Sequence, residues 1–142
     1  MRMRIEARVQ NRSGRHAVEV STNEAARPVA IPPRDTTPGS SLNGGELLCA
    51  ALATCYCNDL YREAAKVGIV VEGVDVHVIA EFGGVGEPAR SIRYTASVAA
   101  RASEDAIREL MLDTDRAAEV HNTLRLGMPV IFEAAHARTV GR

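Results

Sequence analysis

Near the start of the chain Met3, Ile5, Ala7 and Val9 alternate with Arg2, Arg4, Glu6 and Arg8. That period of two is the pattern of a half-buried strand. Asn11-Arg12-Ser13-Gly14 supplies a turn, after which His16, Val18 and Val20 resume the alternation. A third short strand is expected around residues 29–31. Residues 32–45 follow as a loop rich in Pro, Gly, Ser and Thr, long for a mere connector, and loops of that length often carry function.

Over residues 46–67 the pattern changes to helix, with Gly68 in the usual place after the last turn. Its first half, residues 47–57, holds no charge, so it is expected to be buried on all sides. In its second half Asp59, Arg62, Glu63 and Lys66 are spaced for a solvated face. Two long strands come next. Val74, Val76, Val78, Ala80 and Phe82 form one face of the first, and Ile92, Tyr94, Ala96, Val98 and Ala100 one face of the second. The glycine-rich residues 83–88 join them as a hairpin. Ser103 caps a second helix opened by Glu104 and Asp105, with Ile107, Leu110 and Met111 as its buried stripe. A break is expected near residues 113–115, a further helix up to Gly127, and a last strand at residues 128–133. The order β-β-β-α-β-β-α-α-β predicts a single α+β domain over residues 1–142 with one antiparallel sheet.

The uncharged helix also bears on assembly. A sheet covers one side of it, and a chain this short has little left for the other, so a second copy is the simplest cover and a homodimer is expected. The 142 residues suit one domain with a real core. The net charge of −1 favours neither nucleic acid nor an anionic membrane as partner. No stretch approaches the ~20 apolar residues of a membrane span, and the N-terminus shows no apolar signal core, so a cytoplasmic location is expected.

Three cysteines, Cys49, Cys55 and Cys57, are the main candidates for chemistry. They do not look like a secreted disulfide framework. Cys55 and Cys57 diverge by about 200° around a helix, and Cys49 and Cys57 lie about 12 Å apart along its axis. Neither pair suits a disulfide or a zinc knuckle, so no metal site and no cofactor are expected. A free cysteine on an apolar helix is most often packing, which fits Cys49 and Cys57 on spacing alone. Cys55 lies roughly 15 Å from the helix start, out of reach of the helix dipole, so a nearby Arg or His must stabilise any thiolate there. His77 sits on a polar strand face, His136 in a tail and His16 among packed residues. His121 is left open as a partner that only the fold could bring to Cys55.

The run Asn43-Gly-Gly-Glu-Leu-Leu-Cys-Ala-Ala-Leu-Ala-Thr-Cys55 resembles the helix of the OsmC/Ohr family. Gly68-Ile69-Val70 before a valine-rich strand, and Val120-His-Asn-Thr-Leu124, are similar too, as is the element order across nearly the whole chain. The resemblance implies an OsmC-like fold, with antiparallel sheets wrapped around a long central helix in an intertwined homodimer. It further implies a thiol-dependent peroxidase that reduces organic hydroperoxides with a small-molecule or protein thiol as reductant. Cys55 matches the peroxidatic cysteine. Arg12, with Arg15 in reserve, matches the arginine that serves the thiolate. Two positions depart from the pattern. The resolving cysteine's place is taken by Ala118, which leaves Cys57 or an external thiol for that role. The carboxylate that orients the arginine falls at Gly45, which leaves the adjacent Glu46. These departures favour the second reading, a non-enzymatic or sensory OsmC-like domain that binds a hydrophobic or thiol ligand in the dimer cleft. A hotdog thioesterase stands further behind, because helical residues 103–125 replace the strand meander that follows a hotdog helix.

Overall fold

The computed structural model describes residues 2–141. The chain divides into two compact units, Met1–Cys49 and Ala50–Arg142. In the first, strands β1 (Ile5–Arg12), β2 (Arg15–Thr22) and β3 (Ala25–Val29) form an antiparallel sheet in the order β1-β2-β3. Arg12 pairs with Arg15 across a two-residue turn in which Ser13 and Gly14 take φ of 49° and 75°. Two positive φ values in succession match the right-handed twist of a hairpin. Asn23 and Glu24 make a second such turn, with φ of 48° and 73°. It sends the chain straight back along β2, so the third strand begins at Ala25 and ends at Val29 instead of occupying residues 29–31. Pro28 is tolerated because β3 is an edge. The half-burial expected of the first strand is not met within one chain: every residue of β1 is exposed, its apolar face included.

Helix α1 (Gly44–Lys66) starts in the first unit and continues through the second. Gly68 follows it at φ 70°, the left-handed conformation in which a side chain is disfavoured, and so ends it where the sequence places its stop. Strands β4 (Val71–Phe82) and β5 (Ala89–Ala100) pair as an antiparallel hairpin over nearly their whole length. Tyr56, Leu60 and Ala64 recur at the four-residue spacing of one helix face and pack with Leu110 into the core of this unit. Val74 and Val76 from β4, and Tyr94, Ala96 and Val98 from β5, close over that cluster with the alternation read from the sequence.

Helix α2 (Glu104–Ala117) opens as expected, with the Ser103 hydroxyl accepting from the Ala106 amide. Three other expectations are corrected. The break near residues 113–115 is absent, because α2 runs on to Ala117. Thr114 is fully buried and donates to the Leu110 carbonyl, while Asp115 accepts from the Tyr94 hydroxyl and from Arg125 at 2.8 Å. The break falls at Ala118, buried and extended, before the short helix α3 (Glu119–Arg125). The predicted last strand at residues 128–133 does not form. A strand exists only by pairing with another, and these residues join neither described sheet, leaving Val130 and Phe132 99% and 85% exposed. Asp59, placed on a solvated face by its spacing, is buried at 6% exposure.

His121 is also buried, at 5% exposure, with neither ring nitrogen hydrogen-bonded among the described residues. Its ring lies edge-on to Tyr94 with centroids 4.8 Å apart and tilted to Tyr56 at 6.3 Å. Burial, with Arg125 nearby, pushes its pKa down against the weaker pull of Asp115. The folded chain therefore resists protonating His121 more than the unfolded chain does. Stability from this group is complete above the ordinary histidine value of about 6.5 and falls as pH drops through it, by at most about 1.4 kcal/mol per pH unit for one proton. Chemical denaturation of His121→Phe at neutral and mildly acid pH should show a shallower loss than wild type over that interval; equal slopes would contradict this account. Leu60→Ala, which empties the centre of the core, should cost about 2–5 kcal/mol by the same measurement.

Candidate functional site

The start of α1 is set by a reciprocal cap. The Asn43 side chain accepts from the Glu46 amide at 2.7 Å, and the Glu46 carboxylate accepts from the Asn43 amide at 2.9 Å. Glu46, expected to orient an arginine, is thus seen capping its own helix. Cys49, Cys55 and Cys57 follow along α1 as free, half-buried thiols.

Cys55 meets two carboxylates. Its thiol donates to Asp59 Oδ2 at 3.4 Å and lies 3.9 Å from Glu119 Oε2. Asp59 is there because a residue four positions on sits directly above on the same helix face. Glu119 is there because the chain turns at Ala118 and starts α3 beside the sulfur. Arg62, one turn beyond Asp59, closes the group from outside: Nη1 reaches Asp59 Oδ1 at 3.2 Å and Glu119 Oε1 at 2.7 Å. Its Nε donates to Glu63 at 3.0 Å, and Lys66 holds the same Glu63 oxygen at 2.9 Å.

The electrostatics follow from this arrangement. Burial pushes the Cys55 thiol up; the Val120 backbone pulls it down, while the Asp59 hydrogen bond and the charges of Asp59 and Glu119 raise it further. Burial also raises Asp59, and its hydrogen bond with Glu119 raises it more, against the pull of Cys55 and Arg62. Glu119 is lowered, chiefly by that same bond with Asp59 and then by Arg62. Two carboxyl groups in contact resist ionising together, and one ends high and the other low. Arg62 is held firmly protonated by Glu63 and Glu119. Donor atoms of Cys55, Asp59 and Glu119 lie within 4.8 Å of one another, but the guanidinium already spans both carboxylates, so the chain brings its own cation to this cluster.

Arg12 and Arg15 face each other across the β1–β2 turn in the first unit, and Arg34 lies in the loop there, donating to the Ser40 carbonyl at 3.0 Å. Cys55 and its carboxylates belong to the second unit. His121, left open as a partner for Cys55, is instead stacked among the tyrosines. Beside the core, Tyr56, Tyr94, Ala96, Met111 and Leu112 line an open cavity of about 410 Å³, with Arg108 and Asp115 as its charged members. Tyr56 donates to the Met111 carbonyl at 2.9 Å, and burial, with Asp115 adding, pushes its hydroxyl up to about 12. Ala118, where the resemblance would put a resolving thiol, is fully buried and offers only a methyl group.

Sequence reasoning missed Asp59, Arg62 and Glu119 as site residues. The spacing of Asp59 and Arg62 from Cys55 was available as a signal, since positions four and seven residues on share its face. Replacing Arg62 by Met removes the cation that offsets both carboxylates. The pH midpoint for alkylation of Cys55 should then move upward, and an unchanged or lower midpoint would contradict the assigned electrostatics.

The fold and the local sequence both have relatives. The family model described as OsmC-like protein matches residues 37–133. Among solved structures, an OsmC-like protein from Mycoplasma pneumoniae is 19% identical with a TM-score of 0.61, covering 88% of each chain. An OsmC-like hydroperoxide resistance protein from Jannaschia sp. CCS1 is 14% identical with a TM-score of 0.52, covering 98% of this chain and 95% of that one. The organic hydroperoxide resistance protein OhrB of Bacillus subtilis is 18% identical with a TM-score of 0.50, covering 84% and 90%. No curated protein matches. Identities this low carry the α+β fold alone, while the family match over residues 37–133 carries membership. This chain belongs to the OsmC-like family.

Proposed function

We propose that this protein is a thiol-dependent peroxidase that reduces organic hydroperoxides through Cys55. The observation that carries the proposal is a free, half-buried thiol hydrogen-bonded to a carboxylate on the central helix of an OsmC-like chain. In the reaction the sulfur attacks the terminal peroxide oxygen, the O–O bond breaks, an alcohol leaves and Cys55 becomes a sulfenic acid. Two equivalents of a small-molecule or protein thiol then restore the thiol, releasing water and a disulfide. With Ala118 at the usual resolving position, that thiol is external or is Cys57. Arg12, or Arg15 in its place, is proposed to favour the thiolate and the departing oxygen. Glu46 is proposed to assist from the helix start, in addition to capping it.

Catalysis is proposed to occur in a homodimer, in a cytoplasmic setting. Support comes from apolar surface left bare on one chain: Ile5 and Val9 of β1, Leu47 on the uncharged half of α1, and residues 130–132. No helix among the described residues is long and apolar enough to cross a membrane.

A non-enzymatic reading, in which the domain binds a small hydrophobic or thiol ligand, is favoured by two observations. Burial, with Asp59 and Glu119 adding, raises the Cys55 thiol pKa, and the 410 Å³ cavity beside the core is mostly apolar. Consumption of an organic hydroperoxide with monothiol and dithiol reductants, coupled to mass spectrometry of the thiols, separates the two. The peroxidase should form sulfenic acid first at Cys55. Cys55→Ser should abolish turnover, Cys49→Ala should keep it, and Arg12→Ala should slow it by at least about tenfold. No turnover, with all three thiols equally reactive, would sink the peroxidase in favour of the ligand-binding domain.

A further inference from the structure

Asp59 and Glu119 present their four oxygens in two sets. Oδ1 and Oε1 face outward to the Arg62 guanidinium, at 3.2 Å and 2.7 Å. Oδ2 and Oε2 face inward to the Cys55 sulfur, at 3.4 Å and 3.9 Å. The thiol therefore has two acceptors for its proton, and ligand atoms of the two carboxylates and the sulfur lie within 4.8 Å of one another. We propose that Asp59 and Glu119 form one proton-carrying pair for Cys55, taking the thiol proton as the sulfur attacks and returning it to the departing oxygen. This rests on the peroxidase reading and supplies the proton path that reading lacks.

In the resting site the thiol carries its proton and donates it to Asp59. As the S–O bond forms, the proton moves to Oδ2 and is stabilised by the adjoining Glu119 carboxylate. The sulfur's electron pair makes the new bond, and the O–O bonding pair leaves on the alkoxide. The alkoxide then takes the proton from the pair, giving Cys55 sulfenic acid, a neutral alcohol and the original two carboxylates. Arg62 is a positioning residue: it fixes the outer oxygens so that the inner ones face sulfur. The other groups around the pair are Glu63, tied to Arg62 and Lys66 on α1, and the Val120 backbone on α3. His121, next on α3, is turned to Tyr56 and Tyr94 and takes no part. A general base works best with a pKa near the working pH, and the raised pKa of Asp59 moves it that way.

The test uses the full chain with Cys49→Ala and Cys57→Ala, so that Cys55 is the single thiol. Two rates are followed from acid to alkaline pH: alkylation by iodoacetamide, whose iodide leaves without a proton, and single-turnover oxidation by tert-butyl hydroperoxide, whose alkoxide needs one. Asp59→Asn removes a charge that opposes the thiolate, so alkylation at neutral pH should speed up. The same change removes the proton carrier, so hydroperoxide reduction should slow by at least about tenfold. Glu119→Gln should move both rates in the same opposed senses by less; its side chain is 58% exposed, so folding is not at stake in that variant. A merely structural or electrostatic role moves the two rates together, and parallel changes would overturn the assignment. If the parent protein reduces no hydroperoxide, the peroxidase reading falls by itself and the alkylation profile still decides the pair. Two titration steps in the parent that become one in either variant support it, and a single step unchanged by both substitutions overturns it.

Discussion

The arrangement of the site depends on a single guanidinium. Without Arg62, Asp59 and Glu119 would face each other beside a buried thiol with no positive charge among their immediate partners, an arrangement that burial penalises for every charged member. With it, two like charges are held beside the sulfur, the pKa of Asp59 rises and that of Glu119 falls, and the pKa of the Cys55 thiol is raised. Arg62 is itself braced by Glu63, which Lys66 holds in turn. Each ion pair of this cluster has at least one partner partly open to solvent, so its worth lies less in stability than in orientation.

The core supplies the frame. The helix face that carries Tyr56, Leu60 and Ala64 locks α1 against the β4–β5 hairpin and Leu110 of α2. The adjacent face carries Cys55 and Arg62 to Glu119 of α3, with Asp59 between them. Tyr94 ties β5 to α2 through Asp115, and Arg125 ties α3 to the same carboxylate at 2.8 Å, so the end of α3 is held while its start sits against the sulfur. Burial works against an ionised Asp115, yet the Tyr94 hydroxyl and Arg125 together hold its pKa low. The same carboxylate helps raise the two tyrosine hydroxyls, with burial the larger cause.

Much of this was legible in the chain before its structure. Alternation located β1, β2, β4 and β5, and Ser103 and Gly68 marked the start of α2 and the end of α1 at the right residues. What failed did so for identifiable reasons. Residues 128–133 carry an apolar strand pattern, but pairing is a property of two segments, and one segment's composition cannot report whether an edge is available. The break expected near residues 113–115 is absent; Thr114 bonds back to the Leu110 carbonyl, and Asp115 is held by Tyr94 and Arg125. Asp59 was assigned to a solvated face from its spacing with Arg62, Glu63 and Lys66. Its position one helical turn after Cys55 was visible, whereas Glu119, 64 residues from Cys55, could be brought to the sulfur only by the fold. The peroxidatic match of Cys55 came from the resemblance, and the residues that surround it came from the structure.

The central claim is that carboxylates, restrained by one arginine, set the resting state of the Cys55 thiol. The most direct measurement is the ultraviolet titration of thiolate in the protein with Cys55 as its single cysteine. The account predicts a midpoint above that of an ordinary cysteine, because burial, Asp59 and Glu119 outweigh the Val120 backbone. A midpoint well below the ordinary value would contradict it and would mean that a positive charge, such as the proposed Arg12, outweighs burial and the carboxyl pair at the resting sulfur.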